Sequence, residues 1–193
     1  LVAAGAQVLD LEALAAHRGS VLGDLPGAPQ PAQKMFDSLV WHALRNFDPS
    51  RPVFVESESK KIGSLRAPEA LIAAMWASRC IRLDAPVPLR VKMLLAEYDH
   101  FMRDTAALGA QLDRLVELHG RERIARWKAL AAAGDGDTLV RELLELHYDP
   151  AYTRSIVSHY PQYGAALALT AQADDESEFA RLAAACVAAQ NGG

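Results

Sequence analysis

Hydrophobic positions along this chain follow two different periods. Over residues 1–88 short apolar runs alternate with amphipathic stretches, the pattern of strands and helices in turn. Residues 7–11 read as a strand and residues 12–16 as a helical turn. A helix is expected to open at Gln30-Pro31-Ala32-Gln33-Lys34 and run to about Asn46, with Met35, Phe36, Leu39, Val40 and Leu44 inward. Pro52 precedes Val53-Phe54-Val55, whose stiff apolar side chains predict a strand buried on both faces. Pro68-Glu69-Ala70 starts another helix with Leu71, Ile72, Met75 and Trp76 on its apolar side. Residues 80–84 form a further strand, after which Pro86 and Pro88 break the chain.

From Leu89 to about Tyr160 the pattern is helical throughout. Leu108, Leu112, Leu115 and Val116 make one stripe, Ile124, Trp127 and Leu130 a second, and Leu139, Val140, Leu143 and Leu144 a third; all three read as helix-packing core. Gly120 and Gly134-Asp135-Gly136-Asp137 separate them, with Asp137 as an N-cap. Pro150 is expected to stop one helix just before the next begins. Residues 165–170 read as a last strand and residues 175–190 as an Ala-rich closing helix. The organisation expected is an α/β core over 1–88, a helical insertion over 89–161, and a strand and helix over 162–193 that return to the core.

Composition narrows the class. At 193 residues, 51% hydrophobic and 23% charged, the chain has the make-up of one or two globular domains. No apolar run approaches the ~20 residues that cross a bilayer, and no signal peptide is visible, so a cytoplasmic location without membrane contact is expected. Cys80 and Cys186 read as small buried hydrophobes, and the six histidines form no cluster with zinc-ligand spacing. A net charge of −4 runs against nucleic acid as a partner. Yet Arg79, Arg82, Arg90 and Lys92 form one basic cluster, and Arg114, Arg121, Arg123, Arg126 and Lys128 another. Either suits a phosphate backbone, although such runs are more often solvated helix faces.

Candidate chemistry gathers in four segments. Val53 to Gly63 delivers Glu56, Ser57, Glu58, Ser59, Lys60 and Lys61 onto one turn beyond a strand end, where open α/β sheets bind their ligands. An acid at that place in a nucleotide-binding sheet holds Mg²⁺, directly or through water; a solvated loop is the plain alternative. In His17-Arg18-Gly19-Ser20, Gly19 frees the backbone beside a guanidinium and a hydroxyl, both phosphate partners. Gln30, Gln33 and Lys34 stand at a helix start, where an anion is favoured, although such residues also cap and solvate. His147-Tyr148-Asp149-Pro150-Ala151-Tyr152 forms a corner that ring packing alone would explain.

In this order the segments resemble the tRNA 2-selenouridine synthase family. The resemblance is carried by Asp10-Leu11-Glu12 through His17-Arg18-Gly19-Ser20, by Gln30-Pro31-Ala32-Gln33-Lys34, by Val55 through Gly63, and by His147 through Tyr152. It implies an α/β fold with a P-loop NTPase-like parallel sheet, incomplete because its first strand is absent, and a large, mainly helical insertion or lid. Neither the family's rhodanese-like cysteine domain nor a G-x-x-x-x-G-K-[ST] loop occurs in these residues. Leu1 to Gly5 then reads as the end of the helix after that loop, and the chain is expected to be a piece of a longer polypeptide. The resemblance further implies tRNA as partner, geranyl diphosphate and selenophosphate as substrates, and Mg²⁺ with a nucleotide or geranyl diphosphate as cofactor, without zinc. Glu56 and Glu58 would be catalytic, Glu56 also touching Mg²⁺. Arg18, Gly19, Ser20, Gln30, Gln33, Lys34 and Ser59 would surround phosphate or substrate. Lys60, Lys61 and Arg66 would meet tRNA. A P-loop small-molecule kinase and a non-catalytic helical binding module remain open alternatives.

Overall fold

A computed structural model describes residues 1–25, 27–57 and 59–190. They fall into two compact units. One gathers Leu1–Asp84, Ser155–Ala171 and the chain from Asp175 onward; the other holds Ala85–Arg154 with Gln172–Asp174.

The first unit is α/β. A single 3-10 turn, Val2–Ala4, is closed by Gly5 in the left-handed conformation (φ 79°), a short stub of the helical end expected there. Strand β1 (Gln7–Leu9) stops two residues before the predicted strand end, because Asp10 caps helix α1 (Leu11–Ala15) by accepting a hydrogen bond from the Ala13 amide at 2.8 Å. Helix α2 (Gln33–Arg45) then leads to β2 (Val53–Val55), which pairs with β1 in parallel, Val8 opposite Phe54.

A hairpin of β3 (Lys61–Ile62) and β4 (Leu65–Arg66) follows where a loop was expected. Its two-residue turn is Gly63-Ser64, with Gly63 at φ +59°, a conformation that glycine takes without strain. Helix α3 (Glu69–Ala77) leads to β5 (Ile81–Asp84). Strand β5 pairs in parallel with the late strand (Leu167–Thr170), Ile81 opposite Leu167. The described strands thus form two separate parallel pairs and a hairpin rather than one continuous parallel sheet.

Leu9, Leu11, Phe36, Val40, Ile62, Leu65, Ile72 and Met75 form the core of this unit. Two expectations are corrected. Val53, Phe54 and Val55 are half-buried rather than covered on both faces. On α2, Phe36 and Val40 turn inward, but Met35 (56% exposed), Leu39 and Leu44 do not. Apolar residues surround most of that helix, and α1 and the strand residues cover only one flank.

The second unit is helical: α4 (Val87–Glu97), α5 (Asp99–Arg103), α6 (Thr105–Asp113), α7 (Val116–Ala132) and α8 (Gly136–Leu143). Pro86 and Pro88 sit at the N-cap and first turn of α4, where a missing N–H costs nothing, so they start a helix as well as ending the strand region. Leu108, Leu112, Leu115, Ile124, Trp127, Leu139, Leu143 and Leu144 are buried, and Gly120 kinks α7 with non-helical dihedrals. Asp135, not Asp137, caps α8 by accepting from the Thr138 amide at 3.2 Å.

The helical run is not broken at Pro150. A π-helical turn, Leu144–Tyr148, passes directly into α9 (Asp149–His159). The wider turn accommodates a proline ring that would otherwise meet the carbonyl four residues earlier. Arg90 grips Asp149 there with two bonds of 2.9 and 2.6 Å. After a 3-10 turn (Tyr163–Ala165), strand β6 (Leu167–Thr170) and helix α10 (Glu176–Gln190) complete the first unit, with Asp175 accepting from the Glu178 amide at 2.9 Å.

Candidate functional site

The loop after α1 is closed by its histidine. His17 is 4% exposed and its Nδ1 accepts from the Gly19 amide at 3.0 Å, which leaves Nε2–H facing Asp24 Oδ1 at 3.5 Å. An isolated bridge joins His17 to Asp24, and the Arg18 amide donates to the Gly23 carbonyl at 2.9 Å. The imidazole lies between two glycines from distant segments. A Cβ on Gly23 would stand 2.7 Å from His17 Cε1, and one on Gly63 would stand 2.7 Å from His17 Cδ2. The loop is therefore seated on the turn of the hairpin. Arg18, Gly19 and Ser20 are half-buried on it, with Gly19 at φ 66°.

Gln30 locks the same turn from the other side. Its Nε2 donates to the Ala15 carbonyl (3.2 Å) and the Ile62 carbonyl (3.0 Å), while Oε1 accepts from the Ser64 amide (2.7 Å) and hydroxyl (3.0 Å). Gln33 treats Arg66 as a neighbouring strand would: Oε1 accepts from its amide and Nε2 donates to its carbonyl, both at 2.9 Å. The two carboxamides named for phosphate are thus occupied in holding backbone. What they hold is the basic hairpin.

Glu56 is half-buried and turned toward α1, where Oε1 accepts from the Glu12 amide at 2.8 Å. Burial pushes its carboxyl above the ordinary range, opposed by backbone N–H groups and aided by nearby Asp10. Backbone amides at the start of α1 thus engage the Glu56 carboxyl. No group of three His, Cys, Asp or Glu among the described residues adds ligands for Mg²⁺. Glu58 lies outside the described residues. Ser59 closes a local turn, its hydroxyl donating to the Lys61 carbonyl at 2.6 Å and accepting from the Lys61 amide at 3.2 Å.

The structure separates the cations by what they already touch. In the two basic clusters Arg82 pairs with Asp84, Arg90 with Asp149, Lys92 with Asp174, Arg126 with Glu142 and Lys128 with Asp113. Lys34, Lys60, Lys61 and Arg66 are exposed and form no ion pair with a described residue. Lys61 and Arg66 are cross-strand partners, so two positive side chains stand on one face of the hairpin while Ile62 and Leu65 fill the core on the other. Like charges directly opposed cost stability unless an anion joins them. Lys60 holds its Nζ 4.9 Å from the centre of the Trp76 ring.

Segments 10–24 and 30–34 thus converge on the hairpin of residues 61–66, whose two cations no described carboxylate neutralises, while Glu56 holds the start of α1. His17, Gly63 and Ser64 complete this assembly and carried no assigned role in the sequence. The Gly-Ser pair between Ile62 and Leu65 was the signal for the turn.

The site is thus an α/β unit with a polar, cation-bearing hairpin beyond a strand end. The family model for the tRNA 2-selenouridine synthase AAA domain matches residues 1–114. The tRNA 2-selenouridine synthase of Shewanella loihica is 34% identical over 130 residues, 66% of this chain and 33% of that protein. That of Bordetella bronchiseptica is 34% identical over 172 residues (75% and 46%), and that of Hydrogenovibrio crunogenus 30% identical over 165 residues (75% and 45%). No solved structure matches. The chain belongs to the tRNA 2-selenouridine synthase family. It spans a third to under half of the length of these curated relatives.

Proposed function

We propose that this chain is the phosphate- and tRNA-handling part of a transferase that converts 2-thiouridine at the tRNA wobble position into 2-selenouridine in the cytoplasm. In the first step the sulfur of 2-thiouridine attacks C1 of geranyl diphosphate, the C1–O bond breaks, and diphosphate leaves with the electron pair. In the second, the selenium of selenophosphate attacks C2 of the S-geranyl nucleoside, the C2–S bond breaks and geranylthiol leaves with the electron pair and a proton, and hydrolysis of the Se–P bond releases phosphate and 2-selenouridine. Diphosphate departure concentrates negative charge, and fixed cations in a partly dry site stabilise it. Arg18 and Lys34 are assigned to the phosphates, and Lys61 and Arg66 to the tRNA backbone, with Gln30, Gln33 and His17 positioning them. P-loop chemistry would be supplied by residues outside this chain, and selenation by a rhodanese-like cysteine, so this chain alone is expected to be inactive in selenation.

On the chain itself, the observation that carries this reading is the Lys61–Arg66 pair, two exposed cations held opposite each other on a hairpin whose backbone the Gln33 carboxamide grips. The test is nucleoside mass spectrometry of tRNA from a strain lacking the full-length enzyme, complemented with wild type or with Lys61→Ala/Arg66→Ala. Wild type restores 2-selenouridine, and the double variant restores less than about a tenth as much, the loss of two phosphate contacts. A strain without the gene that keeps its 2-selenouridine would refute the reading.

A further inference from the structure

Beside the hairpin lies a cleft that shares only Lys61 with these assignments. It encloses roughly 260 Å³ and is lined by Ser59, Lys60, Lys61, Trp76, His159 and Tyr160, with Ser155 at its margin. The indole of Trp76 and the imidazole of His159 are stacked, centroids 4.5 Å apart and planes 25° apart. His159 Nδ1 lies 2.8 Å from the Ser155 carbonyl and 3.0 Å from the Ser158 hydroxyl, which fixes the plane of the ring. Tyr160 is buried, and among the described residues no carboxylate lines the cleft.

We propose that this cleft binds one nucleotide unit, a flat base against the Trp76–His159 stack with its phosphate on Lys60 and Lys61. Three observations converge on that chemistry. Paired aromatic rings offer a π-face that any base can extend, whatever its identity. Two ammonium groups, those of Lys60 and Lys61, line the same cleft as the rings. The volume falls just under the range of pockets that swallow drug-sized ligands, which suits a single nucleotide unit. Lys60 acts as a placeholder. Its Nζ rests 4.9 Å from the Trp76 centroid, an exposed cation–π contact that a base displaces readily, and the freed ammonium then meets the phosphate. The source of the nucleotide is a residue of the RNA strand, an assignment that rests on the proposed function; a free mononucleotide carries the same chemistry.

The test uses the full-length enzyme and two probes, an unmodified anticodon stem-loop RNA and the free nucleotides UMP, ATP and GTP, with Kd read by fluorescence anisotropy and by tryptophan quenching. Trp76→Ala is expected to weaken RNA binding at least about fivefold, while Trp76→Phe, which keeps the ring, stays within about twofold. Lys60→Ala, a surface change that leaves the fold intact, reduces the slope of log K against log salt by ~0.7. If only the free nucleotides respond to Trp76→Ala, the RNA source is overturned and the base-and-phosphate site stands. If neither probe responds to Trp76→Ala or Lys60→Ala, the site itself is overturned. Because these readouts are binding constants, a site that survives in an enzyme making no 2-selenouridine would overturn the function alone.

Discussion

Replacing Gln30 by alanine tests whether this residue is a clamp or a ligand. The side chain makes two part-buried bonds to carbonyls, Ala15 and Ile62, and two exposed ones from the Ser64 amide and hydroxyl. At about 1 kcal/mol for each part-buried bond and about half that for each exposed one, truncation costs roughly 3 kcal/mol. Water reaching Ser64 recovers part of this, so a loss of about 2–3 kcal/mol is expected. The hairpin opens first, because Gln30 joins α1 to its turn and little else holds the 61–66 segment from that side. Hydrogen exchange of the hairpin amides should therefore accelerate about 30- to 150-fold, the Boltzmann factor of that energy. Gln30→Glu keeps an oxygen for Ser64 but turns a carboxylate toward the Ala15 and Ile62 carbonyls, and should be no better than alanine. Unchanged exchange in Gln30→Ala, together with weakened binding of phosphate ligands, would refute the clamp and restore Gln30 as a direct ligand.

Gly63→Ala places a methyl 2.2 Å from Gln30 Oε1 and 2.7 Å from His17 Cδ2 at φ +59°, and should lower stability by about 2–4 kcal/mol; Gly27→Ala, at φ 72° with open space, pays only the backbone strain of about 1 kcal/mol. Urea unfolding of the two variants side by side checks the contrast. Glu56 has a raised carboxyl, so its stabilising contribution is complete at low pH and is lost as pH rises through the raised value. Glu56→Gln keeps the acceptor for the Glu12 amide without the charge, and its Tm should gain on wild type as pH rises through that interval. His119 and His147 share a 3.1 Å bond, and burial lowers both, helped by Arg123 for the first and by their mutual repulsion for the second. The unfolded chain therefore takes up protons first on acidification: the helical unit should keep full stability above the ordinary histidine range and lose it as pH falls through the lowered values, a dependence that His147→Gln diminishes in thermal melts.

Local signals made much of this fold legible. Val53–Val55, Glu69–Ala77 and Glu176–Gln190 stand where period, proline and capping residues placed them, because each element's pattern had one reading. Helix α2 did not. Met35, Phe36, Leu39, Val40, Trp41 and Leu44 lie around most of its circumference, and only the partners of Phe36 and Val40 decide which side is inside. Asp135 and Asp137 were equally good caps by residue type, and the geometry at the Thr138 amide separates them. At Pro150 the local rule was sound but its conclusion was not, since a π turn satisfies the same steric demand without ending the helix.

Which side chains of the candidate segments hold backbone was not legible in the sequence, and the reason is chemical. A glutamine side chain carries the same donor and acceptor as a peptide group, so a sequence cannot distinguish one that binds a ligand from one that completes a backbone. Gln33 pairing with Arg66 as a strand would is the second case. Charge behaves likewise. The sequence offered two dense basic clusters, and five of their cations are already met by carboxylates. The sparser set at Lys34, Lys60, Lys61 and Arg66 was less conspicuous, yet no described carboxylate neutralises it. A net charge of −4 therefore says little about an anionic partner here, since the field such a partner meets is set by the cations that no described carboxylate neutralises. Density of positive residues in sequence measures how many ion pairs a surface can make; the charge left after those pairs form is what a phosphate can use.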